Sequence, residues 1–403
     1  MTVKLVRLGM ILSWILCCFL VVVSISCSAG SPAAQPTAAS QATKPSSTSQ
    51  ATTSDQLPTH VQKATDLVKS AMTLPTWSQY KPKEPAPAFT KGKRIAVVLS
   101  NAKSQGVTIQ AAGFTEAAKA VGWEPTEFDG QGTDSGKIAA LRNAVAQGVD
   151  GIDMAAIDHR LVQDPLREAN TRGIPFVSTM AGNDPGPEPW QNFAGIDADD
   201  VQEGRKVASW VISDAAASGR KVNVLLFQLS VNATLVKRNQ GIMEVFQACP
   251  DCNIVAAEQY TSTGQGLQEL PQRAQSALQA HPETNYIVID TGSFAQYVVT
   301  GVKQLGGEIE KNIRLISFDC VPDEIDRINR GDVECACEGA ASQAAGWVAV
   351  DELNRALNKQ PRAGNTIPVM LLTKDNNQGL IDEKGFNGGF DFRTEWKKFW
   401  GVN

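Results

Sequence analysis

From about residue 91 the chain alternates short apolar runs with longer segments whose apolar residues recur three and four apart. The run at 95–100 (IAVVLS) is almost continuously apolar, the pattern of a parallel strand covered on both faces. Helical spacing follows at 106–121, a strand pattern at 124–129, then helix 135–147, strand 151–157, helix 160–172 and strand 174–180. A loop rich in Gly, Asp and Pro interrupts at 181–189, and 193–197 is short and extended. After a helix at 198–217 the alternation restarts. Strands are predicted at 222–228, 253–259, 286–290 and 313–319, separated by helices at 232–248, 266–280 and 294–305. A short amphipathic helix and a strand closed by Glu338 come next. Helix 342–358, strand 367–373 and the end of the chain start no third series, so they are predicted to cross between the first two. The fold class is therefore α/β, with two doubly wound parallel-sheet lobes. Lobe 1 is expected at 92–197 plus 339–364, lobe 2 at 198–338 plus 365–390, and a C-terminal tail at 391–403. Upstream, 59–91 reads as one helix (60–73) and a proline-studded extension.

The first 58 residues change the picture. Lys4 and Arg7 precede an apolar run of 16 residues (8–23), followed by Ser24-Ile25-Ser26-Cys27. That order is a secretory signal, and its cysteine marks a lipoprotein in which Cys27 is acylated after removal of 1–26. Ser24 departs from the large aliphatic residue usual there. An uncleaved anchor is the alternative, although the run is short of the ~20 residues of a full span. Both readings place the folded part outside the cell membrane, tethered to its outer face or in the periplasm. Residues 27–58 are nearly all Ser, Ala, Pro, Thr, Gln and Gly. Such a segment cannot bury enough apolar area to offset its ordering entropy, and as a flexible tether it reaches roughly 30 Å. A net charge of −5 argues against a nucleic-acid partner.

Little in the chain suggests chemistry on a substrate. The loop 130–137 (GQGTDSGK) follows a strand and opens a helix as a phosphate loop would, but its spacing is off by one and Ile138 stands where a Ser or Thr would hold magnesium. Of the three histidines only His159 lies at a strand end, beside Asp158, no GxSxG elbow occurs, and no cysteine–histidine set has metal-site spacing. No cofactor, metal or catalytic residue is predicted. Cys249 and Cys252 frame a turn between helix and strand and are expected to form a local disulfide in an oxidising compartment. Cys320, Cys335 and Cys337 lie near two adjacent strand ends; one further disulfide fits there and leaves an odd thiol.

Polar side chains recur at strand ends: Ser100, Asn101, Asp158, Asp197, Asp290, Asp319 and Glu338. Each can cap a helix. Collectively they surround the edge at which open α/β sheets bind ligands. At this point the sequence resembles the class I, ribose- and galactose-type periplasmic binding proteins that feed ABC transporters. The resemblance covers about 92–390 and rests on the order of several segments: IAVVLS, GFTEAAKAVGW (113–123), AVAQGVDGIDMAAID (144–158), GIPFV (173–177), AGIDADDVQEG (194–204), KRNQGI (237–242), LISFDCVPDEI (315–325) and CACEG (335–339). LacI-type repressors share the fold but carry a helix-turn-helix where this chain carries an export signal.

The resemblance implies two lobes joined by a three-crossover hinge that close over a small ligand, a monomer, and a permease as partner. The candidate ligand contacts are Ser100, Asn101, Gln105, Asp158, Asp197, Arg238, Asp290, Asp319 and Glu338. Asp319, Asp197 and Arg238 match the family's positions; Glu338 stands where it has glutamine. The family's stacking aromatics fall near 105–107 (QGV), its Asp-Arg pair near Met180-Ala181, and its Asn-Asp pair near Thr291-Gly292. Lacking these groups, the site is expected to take a sugar-like or polyol-like ligand other than a common hexose. Trp190 is the loop aromatic that could substitute. A sensor that presents its closed form to a membrane receptor is the alternative; an exported enzyme ranks below both.

Overall fold

The computed structural model describes residues 57–183, 191–230 and 232–402. The signal, Cys27, Trp190 and all but the last two residues of the tether lie outside the described residues. A helix α1 (Thr59–Ala71) and a one-turn α2 (Trp77–Tyr80) precede the first lobe. Lobe 1 contains β1 (Arg94–Leu99), α3 (Gln105–Ala120), β2 (Glu124–Asp129), α4 (Asp134–Ala146), β3 (Gly151–Ala155), α5 (Gln163–Thr171), β4 (Phe176–Thr179) and β5 (Gly195–Ile196). Its sheet runs β2-β1-β3-β4-β5, all parallel. Burial of all but the first residue explains why β1 reads as an unbroken apolar run; β3 and β4 are buried throughout as well, with Asp153, Ser178 and Thr179 as polar exceptions.

Lobe 2 opens with α6 (Asp200–Ser218) and continues through β6 (Val222–Gln228), α7 (Ala233–Gln247), β7 (Cys252–Gln259), α8 (Gly264–Ala280), β8 (Tyr286–Ile289), α9 (Ala295–Leu305), α10 (Gly307–Asn312), β9 (Arg314–Phe318), α11 (Pro322–Arg330) and β10 (Glu334–Ala340). The chain then returns to lobe 1 as α12 (Ser342–Leu357), which packs on α3, and comes back as β11 (Val369–Thr373), antiparallel to β10. The lobe 2 sheet is β11-β10-β9-β8-β6-β7. A hairpin of β12 (Ile381–Asp382) and β13 (Gly385–Phe386) leads to α13 (Phe392–Trp400).

The three crossings are the segments after β5, after β10 and before β11. The first and last described segments each add another. Helix α1 shares the lobe 2 core with Val207, Val211 and Trp210 of α6, whereas Trp77 and Phe89 belong to the lobe 1 core. The segment expected as a tail is instead the docked helix α13, whose Phe392, Trp396 and Trp400 are buried. Trp400 stacks on Trp347 of α12 at 5.3 Å, and Trp396 meets Trp77 edge-on at 5.1 Å. The helix expected at 160–172 begins only at Gln163, because Asp158 caps a separate single turn over His159–Leu161.

In lobe 2, α6 and α7 cross at two glycines. A Cβ on Gly204 would lie 2.0 Å from the Arg238 carbonyl oxygen, and one on Gly241 2.0 Å from that of Val201. Only backbone fits against backbone there, and this contact carries Arg238 up against α6.

Candidate ligand-binding site

Ala156, Met180 and Asp319 follow β3, β4 and β9, and each leaves its strand with a left-handed backbone, at φ of 55°, 55° and 79°. Non-glycine residues avoid that region, and where they persist they cluster at functional sites. All three line one cavity, between the C-terminal edges of the two sheets, with about 80 Å³ open to the centres of water-sized molecules. At roughly 10–15 Å³ for one water, that is the room of a small solute.

Ser100, Asn101, Ser104 and Lys137 face the cavity from lobe 1; Asn232, Thr234, Arg238, Ser262, Thr291, Phe294 and Asp319 face it from lobe 2. The lobes touch across it. The Gly106 amide donates to Ser293 Oγ at 3.1 Å, Lys237 Nζ to the Gly182 carbonyl at 3.0 Å, and Thr234 Oγ1 to Asp197 at 3.3 Å. This is a closed arrangement. Phe294 is the single aromatic ring among the described lining residues.

Arg238 organises the lobe 2 wall. It donates from Nε to Glu203 at 3.0 Å, from Nη2 to Asp319 Oδ1 at 3.0 Å and from Nη1 to the Asp290 carbonyl at 3.3 Å. Its guanidinium lies 4.5 Å over the Phe318 ring. Burial opposes its charge, but Glu203 and Asp319 more than reverse that and hold the proton more tightly than usual. Thr291 Oγ1 donates to the second Asp319 oxygen at 3.2 Å. Asp319 is thus held on both oxygens and retains lone pairs for hydroxyl donors from the cavity. Beside this array, burial, then the charges of Asp197 and Glu203, push the Asp200 carboxyl up to about 8.

The sequence-predicted residues divide. Ser100, Asn101, Arg238 and Asp319 come together at the cavity. Gln105 opens α3, with Ser104 and Gly106 rather than Gln105 on the wall. Asp158 lies off the wall, bound to Arg160; burial works against its charge, but those hydrogen bonds hold its carboxyl below the ordinary range. Asp197 sits at the first crossing and accepts from the Gly182 amide at 3.0 Å, with burial raising it to about 6. Asp290 is fully buried behind the wall. It accepts from the Leu229 amide, Asn239 and Tyr260, and burial raises it to about 7.

Glu338 is a correction. It does not look into the crevice. β10 continues two residues past it to Ala340, so Glu338 lies within the sheet, opposite Phe318, and turns toward α6. There it is fully buried and accepts from Lys206 Nζ at 2.8 Å; burial pushes its carboxyl up to about 7.

Ser104, Lys137, Asn232, Thr234, Ser262 and Phe294 were missed. Lys137 had a signal. The 130–137 loop rejected as a phosphate loop does face the cavity, through Gly132 and Lys137. Asn232 was legible only as the cap of α7, whose Leu235 amide it accepts. Both Cys249–Cys252 and Cys320–Cys337 form disulfides, and Cys335 keeps a free thiol. Among the described residues no cluster of His, Cys, Asp or Glu is arranged to hold a metal.

The family model for the periplasmic binding protein domain matches residues 95–361. Among curated proteins, the galactofuranose-binding protein YtfQ of Escherichia coli K12 is 24% identical over 279 residues, 69% of this chain and 80% of that protein. Among solved structures, a Mycobacterium smegmatis protein in complex with β-D-fucofuranose aligns with a TM-score of 0.64 at 17% identity, over 77% of this chain and 98% of that one. The arabinose-transporter binding protein of Shewanella sp. ANA-3, bound to α- and β-L-arabinofuranose, gives 0.61 at 20% identity, over 76% and 95%.

Two α/β lobes closed over a polar cleft, with a family match across most of the folded chain, define a class I solute-binding protein. The chain belongs to the periplasmic binding protein family; the relatives named above bind sugars, and one of them is the binding component of an arabinose ABC transporter.

Proposed function

We propose that this protein is an exported lipoprotein, anchored through Cys27, that captures a small sugar in its cleft as a monomer and delivers it in the closed form to an ABC permease. The ligand class is a furanose rather than a pyranose. The observation that carries this reading is the cleft wall: hydroxyl and amide side chains around the Arg238–Asp319 pair, with one phenylalanine as its only ring among the described residues. Stacking platforms suit the flat apolar face of a pyranose. A smaller, puckered ring needs donors and acceptors around its rim. The curated relative named for a furanose sugar, a galactofuranose-binding protein, supports the same choice; solved neighbours of similar likeness carry furanoses or a pyranose.

Binding stabilises the closed state by its differential contacts, and hinge opening releases the sugar. Isothermal titration of the folded domain with galactofuranose, arabinofuranose and glucopyranose tests this. The expected result is saturable one-site binding of a furanose and none of glucopyranose. Tighter binding of glucopyranose would overturn the ligand class. Labelling with radioactive palmitate in cells, lost in Cys27→Ala, tests the anchor.

A further inference from the structure

The Cys320–Cys337 disulfide is adjacent in sequence to the cleft carboxylate, Asp319. Asp319 and Cys320 take consecutive left-handed conformations, at φ of 79° and 48°. Neither is glycine, so each is held in a region that its Cβ disfavours. Without restraint the pair relaxes toward extended or right-handed backbone. Such a change swings the Asp319 carboxylate away from Arg238 and Thr291.

Several features hold the pair. The Asp319 amide donates to the Glu338 carbonyl at 2.7 Å, and the Cys320 carbonyl accepts from the Phe386 amide at 3.3 Å. Cys320 and Cys337 are both fully buried, and the bridge ties the turn to β10, where Cys337 lies opposite Ser317 of β9. Two glycines make room. A Cβ on Gly339 would come 3.2 Å from the Cys320 sulfur, and one on Gly385 2.6 Å from the Cys320 carbonyl. β10 runs on through Ala340 to the crossing into α12. The bridge therefore joins the ligand-facing turn to the base of a hinge segment.

We infer that the Cys320–Cys337 disulfide is a positioning device for ligand binding: it holds Asp319 in the left-handed turn that aims its carboxylate into the cleft. The inference rests on the sugar-binding reading for its affinity readout, and on the turn alone for a second one. The other bridge, Cys249–Cys252, lies at the far end of α7 and serves as the control.

The test compares wild type, C320A/C337A, C320G/C337A and C249A/C252A below their melting temperatures. The readouts are galactofuranose affinity and, in sugar-free protein, hydrogen exchange at the Asp319 amide. Releasing one left-handed residue weakens binding by about five- to thirtyfold, with exchange faster by a similar factor. C320A/C337A should show both effects. C320G/C337A should recover part of the loss, because glycine takes φ near 48° without a Cβ penalty. C249A/C252A should lower the melting temperature and leave affinity unchanged. Wild-type affinity and wild-type exchange in C320A/C337A would overturn the inference, as would a glycine variant no better than alanine. If wild type binds no galactofuranose, the ligand reading fails while hydrogen exchange still decides the role of the bridge. If C320A/C337A does not fold, the exchange of C320G/C337A against wild type decides it: unchanged Asp319 protection refutes the inference.

Discussion

Replacing Arg238 by methionine tests whether the lobe 2 wall is held by charge. Arg238, Glu203 and Asp319 are 3%, 1% and 5% exposed, so the ion pairs have almost no water to fall back on. Methionine fills much of the volume and supplies no donor. Two buried carboxylates then lose the guanidinium that bridges them. Breaking a buried pair from one side costs about 3–5 kcal/mol, because the orphaned charge stays in the protein. For the roughly 345 folded residues, an unfolding entropy of about 2.1 cal/mol/K per residue converts that cost to a melting shift of about 4–7 °C. Adding Glu203→Gln removes one orphan and should restore part of the loss, with a coupling of about 0.5–3 kcal/mol. Scanning calorimetry of the single and double variants at pH 8 is the assay. A melting temperature for Arg238→Met within about 1 °C of wild type at pH 8 would refute the reasoning.

Three further outcomes are expected. Glu338 is raised to about 7 in the folded protein by burial, with Lys206 opposing, so its contribution is present in acid and lost as pH rises through 7. Lys206→Met removes the opposing charge, and its melting temperature should fall more steeply than wild type between pH 5 and pH 8; parallel curves would contradict this. Gly241→Ala places a methyl 2.0 Å from the Val201 carbonyl, so α6 and α7 must separate. A loss of about 1–3 kcal/mol is expected in urea unfolding, together with weakened sugar binding, because Arg238 moves with the helix. Trp396→Ala empties the centre of the α13 cluster and should cost about 3–5 kcal/mol, with the C-terminal helix becoming sensitive to limited proteolysis.

The two-lobe fold was legible because its central strands are buried on both faces and are mostly apolar, with Asp153 in β3 and Ser178 and Thr179 in β4 as buried exceptions. Asp319 was legible as the acid that ends β9, but the same pattern also picked Asp290 after β8, which is buried behind the wall. Glu338 misled because its strand outlasts it. The apolar-to-polar change marked a charge buried beside Lys206, not the end of pairing. Helix α13 was read as a tail, although Phe392, Trp396 and Trp400 recur four apart, because only the tertiary cluster with Trp77 and Trp347 shows why a nine-residue helix is stable there. The disulfide partner of Cys320 was not readable either. Cys335 and Cys337 are two apart, and only the register shift between Glu334 and Ala336 and the left-handed turn at 319–320 select Cys337. The missed wall residues Thr234 and Ser262 reach the cavity by lobe closure and loop placement, which leave no periodic trace in sequence.

The central claim is that this cleft closes on a small sugar through Asp319. Titration calorimetry of galactofuranose into wild type and Asp319→Ala, with Glu338→Ala as the off-site comparison, tests it most directly. The account predicts one saturable site in wild type, binding abolished in Asp319→Ala, and binding that survives in any Glu338→Ala protein that remains folded. Undiminished binding in Asp319→Ala would contradict it.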